Sequence, residues 1–310
     1  MAGKNTVSRE QVTVFSRSPL TIHRSLFIAH CSLLILLISC QSAPKIFEMD
    51  LNNTASVPLD SGASVYILAD AKQARPVIDL LPVEELNNRQ TRQMLDRTDF
   101  FVAALFPEAS KLRFQLVSWG NYPDSGAAMA FGMNKNWKKR RSRAGYSYWH
   151  SDRLSIALNS RQAFVCASSD NAPGDPVTAG GGAKIPEGFG EFRAAAPLSC
   201  WLENPAPVFS RILNNAGVPI RFPVQQLFVN LYPVTNRRCE ALIRMQFENA
   251  IQARGMVAIF SLAGNFSSNE IIASIFLKNP PVQNGRNLDI KTAAMSETEI
   301  TLLFGLLSRI

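Results

Sequence analysis

Thirteen residues, Leu26 to Ile38, are apolar except at His30, Cys31 and Ser32. A run this greasy is either removed from the chain or buried, so it decides which residues are left to build a fold. Arg17 and Arg24 precede it with no acid between them, and a small residue, Ser39, follows. That order of cations, apolar stretch and small residue is the order of an export signal. The run is too short for a membrane-spanning helix, which needs about 20 residues to cross about 30 Å of hydrocarbon.

The block Leu37-Ile38-Ser39-Cys40 closes the run. It resembles the lipobox of bacterial lipoproteins. In that class the cysteine thiol receives a diacylglyceryl group, a dedicated peptidase cuts before it, and the new amine is often acylated. The resemblance implies a signal peptide over residues 1–39 and a lipid on Cys40. It implies a mature chain anchored to a bacterial cell membrane or outer membrane, on the periplasmic or surface side. Sulfur suits this role because it is the best side-chain nucleophile near neutral pH. Two other readings of the run stay open: an ordinary signal peptide with a coincidental cysteine, and a buried helix of a cytosolic domain.

The chain is 46% hydrophobic and 18% charged, the composition of a folded protein. Its formal charge is +8, of which residues 1–39 carry +3, so the remainder is mildly basic at +5. Cys166, Cys200 and Cys239 are the thiols left after Cys40, and none forms a Cys-x-x-Cys pair. They fit small buried hydrophobes better than metal ligands. One histidine, His150, lies after the leader, beside Trp149 in an apparent strand. One histidine cannot build the usual zinc sites, and a structural role is expected of it. No phosphate loop, dinucleotide-binding glycine motif or Gly-x-Ser-x-Gly elbow is present. We expect no enzyme, no catalytic residue, no metal and no cofactor.

Polar and proline-rich residues 40–63 read as a tether. Residues 64–168 and 196–310 read as two related modules, joined by a Gly- and Pro-rich linker over 169–195. Leu112, Phe114 and Leu116 alternate with polar residues, and Ala241, Ile243, Met245 and Phe247 repeat that period of two. An offset of 129 positions carries Leu112 to Ala241, Gly126 to Gly255 and Phe131 to Phe260, strand onto strand and helix onto helix. This pattern predicts an α+β fold, each module a strand-strand-helix-strand unit with antiparallel sheets and helices on one face. The order is similar to that of ferredoxin-like modules, a resemblance of pattern that carries no function. Segments Pro76–Leu81 and Pro207–Leu213 predict short helices, Asn269–Leu277 a longer one, and Ser296 with Glu299 a capping box.

One group of residues suggests a contact. Lys135, Lys138, Lys139, Arg140, Arg141 and Arg143 crowd around Trp137, and Tyr146, Tyr148 and Trp149 follow. Cations beside amphipathic rings suit an anionic surface, lipid or polysaccharide. A solvated turn that only keeps the chain soluble is the bland alternative. Nucleic acid is excluded as a partner by export. Three functions follow in order: a non-enzymatic binding or structural module held on a membrane by its lipid; a lipoprotein that inserts helices such as Ala250–Leu262 and Ser296–Leu307 into a leaflet; and an exported hydrolase with an unfamiliar site.

Overall fold

The computed structural model describes residues 56–81, 89–107, 112–143, 145–167, 182–194, 196–206, 223–235, 237–266 and 279–300. The lipobox and the segments expected to be helical at Pro207–Leu213 and Asn269–Leu277 lie outside them. A two-stranded ribbon pairs β1 (Ser56–Val57) with β9 (Ala183–Lys184). The other described strands join one sheet of thirteen. Its order from one edge is β13 (Val282–Asn284), β14 (Asn287–Lys291), β12 (Arg238–Phe247), β11 (Val224–Thr235), β10 (Leu198–Glu203) and β2 (Val65–Asp70). It continues through β3 (Thr98–Pro107), β4 (Leu112–Gly120), β8 (Gln162–Ala167), β7 (Leu154–Leu158) and β6 (Ser147–His150) to β5 (Lys138–Arg141). β15 (Met295–Ser296) pairs with the start of β12, and every pairing is antiparallel.

The strands expected in the two halves therefore do not form separate sheets. They meet where β2 pairs with β10, with Ile67 opposite Cys200. Period-two sequence makes this work, because alternate residues of a strand point to opposite faces. One row crosses the sheet through Ile290, Ile243, Val229, Cys200, Ile67, Ala103 and Leu116, apolar at each step. Tyr66, Val102, Val117, Phe164, Trp201 and Phe228 point the other way into a second core.

Helices α1 (Arg75–Ile78) and α5 (Ala250–Phe266) cover the first face. Helix α4 (Phe189–Arg193) covers the second, so the cover is two-sided, not one-sided as expected. α4 inserts Phe189 at 4.8 Å from the Trp201 ring and 5.3 Å from Phe228. Two more segments differ from the sequence reading. Val57, Leu59 and Ala63, assigned to the tether, are buried in this second core. A reciprocal pair fastens them: the Asp60 amide donates to Gln115 Oε1 at 2.9 Å, and Gln115 Nε2 donates to Asp60 Oδ2 at 2.6 Å. The described part of the assigned linker, β9 and α4, is likewise core. Polar and glycine-rich composition marked both as loops, but three or four well-spaced apolar residues suffice to dock a strap.

β11 runs through Pro233 to Thr235, with a register shift between Pro233 and Thr235. A bulge tolerates the missing N–H. The capping box forms: Ser296 N donates to Glu299 Oε2 at 2.7 Å, and Glu299 N donates to Ser296 Oγ at 3.4 Å.

Gly120 closes β4 against the end of helix α2 (Arg89–Arg97). A Cβ there would collide with the Arg97 carbonyl oxygen and lie 2.9 Å from the Thr98 Cα, both main chain. The same carbonyl accepts the Asn121 N–H at 2.8 Å, so it cannot swing aside without losing that bond. Gly120→Ala should destabilise the fold by about 1–3 kcal/mol, as overpacking does, read as a lowered thermal midpoint. An unchanged midpoint would refute this close approach.

Candidate functional site

The basic residues singled out from the sequence are brought together by three elements at one edge of the sheet. Lys138, Lys139, Arg140 and Arg141 are β5 itself, and all four are exposed. The segment is thus a strand and not the charged turn of the bland reading. Its register places Lys138 opposite His150, Lys139 opposite Trp149, Arg140 opposite Tyr148 and Arg141 opposite Ser147. Alternation puts Lys139 and Arg141 on the Trp149 face, and Lys138 and Arg140 on the face where Tyr148 enters the core. Lys135 and Arg143 flank the strand, both exposed, and Trp137 is half-buried. Gly145, at φ +92°, lets the hairpin turn tightly, and its carbonyl accepts Arg141 Nε at 2.9 Å.

Helix α3 (Asp124–Met133) leads into this hairpin. Its sequence, DSGAAMAFGM, is apolar after the first turn, yet no residue of it is buried. Phe131 holds it in place, 4.7 Å from the Trp137 ring and 5.8 Å from Trp149. Met129 is 51% exposed and Met133 79%. A helix that packed as core would show an apolar stripe turned inward. This one shows an apolar surface to solvent beside a row of cations. Composition alone hides this, because an apolar helix in a sequence normally reads as core.

His150 is half-buried, with Nδ1 2.9 Å from Ser155 Oγ. Burial pushes its pKa below the usual imidazole value, and Arg140 and Lys138 add to this against a weaker pull from Asp152. The ring is therefore uncharged near neutrality and adds no cation to the patch. Cys166 and Cys239 are buried, Cys200 is half-buried, and none of the three is in a disulfide. Burial pushes the Cys200 thiol up to about 12 and that of Cys239 to about 11, which makes them poor nucleophiles. Among the described residues no three of His, Cys, Asp and Glu gather as metal ligands. Nor is any described helix long and apolar enough to cross a membrane.

Comparison with known proteins bears on this geometry. A family model described as outer membrane-associated lipoprotein TP0453 matches residues 57–172, which include the basic hairpin and α3. Three crystal structures of TP0453 resemble most of the chain. Form I has a TM-score of 0.56 at 16% identity, over 81% of this chain and 95% of that one. Form III has 0.55 at 18%, over 83% and 100%, and form IV 0.55 at 16%, over 79% and 93%. The chain shares the TP0453 fold. No curated protein matches it. The family's description agrees with the location expected from the sequence, membrane-anchored and outside the cytoplasm.

The depressed His150 pKa has a consequence with a definite sign. The unfolded chain takes up the imidazole proton more readily than the folded one, so stability falls as pH drops through about 6.5. His150→Gln should flatten that part of the stability profile, measured as thermal midpoint between about pH 7.5 and about pH 5. Parallel profiles for the two proteins would reject the desolvated imidazole.

Proposed function

We propose that this chain is a non-enzymatic, lipid-anchored envelope lipoprotein whose folded part binds an anionic membrane surface through β5, Trp137 and α3. The observation that carries the reading is the unburied apolar helix α3 beside four exposed cations on β5. Each cation near an anionic bilayer contributes about 1 kcal/mol, and exposed methionines enter the headgroup boundary readily. The diacylglyceryl group on Cys40 carries two acyl chains and anchors stably by itself, so the patch seats the folded part on the surface to which the lipid already holds it. The family description at residues 57–172 supports a lipoprotein of an outer membrane.

A second reading, insertion of helices into the leaflet, has one observation in its favour. Ile251, at the start of α5, is 83% exposed, so α3 is not the sole helix with apolar surface free. The two readings separate by the charge of the lipid. Surface contact needs anionic vesicles, whereas insertion proceeds on neutral ones.

Flotation of the chain lacking residues 1–40 with phosphatidylglycerol vesicles tests the first reading. Binding should weaken with salt, and changing Lys138, Lys139, Arg140 and Arg141 together to Gln should lower it by at least about tenfold. Equal flotation of both proteins would sink the contact. For the tether, Cys40→Ala should leave the precursor uncut and without acyl label, by mass spectrometry of the N-terminal peptide. Normal labelling of that variant would reject Cys40 as the lipid carrier.

A further inference from the structure

Two arginines, Arg193 at the end of α4 and Arg244 on β12, lie over aromatic rings, and their surroundings differ in one respect. Arg244 Cζ sits 4.9 Å from the Phe192 ring centroid, and its guanidinium meets Asp289 in a two-pronged pair, both contacts 2.7 Å. The Asp289 carboxylate is the largest influence on it and holds its pKa up. Arg193 Cζ sits 5.3 Å from the Phe100 ring centroid, and Phe100 in turn lies 5.9 Å from Trp119. Arg193 is half-buried, and among the described residues no carboxylate or other acceptor meets its side chain. Burial alone acts on its pKa, downward. Asp70 stands across the strand pair from Phe100, but its carboxylate accepts from the amides of Lys72 and Gln73 and from Gln73 Nε2.

The group is also held in place. Phe189 and Phe192 are buried in the turn before it, and Asn230 Nδ2 donates to the Phe192 carbonyl at 2.6 Å. A guanidinium carries five donors in a rigid fork that matches the oxygens of carboxylate and phosphate. Here that fork is partly stripped of water, laid on an aromatic face and fixed at the end of a buried helix, with its donors unused by the described protein. An ion pair formed at such a site is screened less than one at an exposed lysine.

We propose that Arg193, on its Phe100–Trp119 platform, is a binding site for a small oxyanion, phosphate or carboxylate, separate from the basic hairpin. The proposal does not rest on the membrane reading: β5 lies at the sheet edge, whereas Phe100 is on β3 near the centre. The phosphate could be a free ion or the headgroup of a lipid, and the experiment separates the two.

The mature lipoprotein, kept in neutral detergent, is titrated with inorganic phosphate while its thermal midpoint is followed, with sodium chloride at matched ionic strength as reference. The midpoint should climb with the logarithm of phosphate beyond the chloride reference, as for a ligand of the folded state. Arg193→Gln should abolish that increment. Arg193→Lys, which keeps charge but loses the fork, should weaken phosphate binding by about tenfold, and calorimetric titration of this variant provides the check should the Gln protein fold poorly. Changing Lys138 and Arg140 to Gln should leave the increment intact. A soluble short-chain phosphatidylglycerol, given at the same phosphate concentration, assigns a lipid headgroup where it raises the midpoint more than phosphate does, and a free anion where it does not. An equal rise in wild type and Arg193→Gln, or no rise beyond chloride in the wild type, overturns the site.

Discussion

The pairing of β2 with β10 is the contact on which the rest of the molecule depends. It is the one strand pair through which the first-half strands and the second-half strands become a single sheet. Trp201 fixes it. The indole is fully buried, stacks on Tyr66 of the partner strand at 4.5 Å with 14° between the planes, and is closed over by Phe189. Buried aromatic pairs contribute about 0.5–1.5 kcal/mol beyond their area, and three rings at a seam make the register hard to slip. A slip of one residue would send Trp201 to the other face and Cys200 into its place.

Among the described strands the sheet ends at two edges, β13 and β5. An unpaired edge invites other strands, and proteins blunt such edges with charge or by keeping them short. Both remedies are present. β13 has three residues and follows Pro280 and Pro281, while β5 carries four cations in a row. Edge protection therefore explains why β5 is basic, with no ligand at all. It does not explain α3. Blocking a strand edge requires no apolar helix held out of the core by one phenylalanine between two tryptophans, and an exposed Met133 is a cost to solubility. It is α3, beside those cations, that edge protection leaves unexplained and that favours a surface contact.

The sequence disclosed those features that are local. Period-two alternation located β4 and β12, the Ser296–Glu299 spacing located a cap, and the clustered lysines and arginines located the hairpin's charge. It could not disclose what depends on distant partners. β5 has no apolar alternation, because neither of its faces is buried, so nothing in Lys138–Arg141 reads as a strand until β6 is beside it. Residues 57–63 look like spacer because their docking rests on Gln115, more than fifty positions away. Arg193 gave no signal, since a guanidinium that meets no acceptor among the described residues differs in sequence in no way from a paired one. The single sheet was missed for the same reason: each half was legible, but the β2–β10 seam joins residues that no short window contains.

The strap also shortens the tether, and this changes what strength the surface patch needs. If Cys40 carries the lipid, at most fifteen residues lie between the anchor and Ser56, the first described residue, not the twenty-three of the expected spacer. Fully extended, fifteen residues reach about 50 Å, and as a flexible coil about 20 Å. Under the proposed anchoring, a spacer of that length would confine the folded part to a layer no deeper than its own reach above the bilayer. Within that layer the patch meets the membrane at an effective concentration in the millimolar range. A contact too weak to hold a free protein, a few exposed cations and two methionines, would then keep the fold seated most of the time. Lengthening the spacer would dilute that encounter without touching any residue of the patch, which is how the fastening of Asp60 to Gln115 bears on binding at the far edge of the sheet.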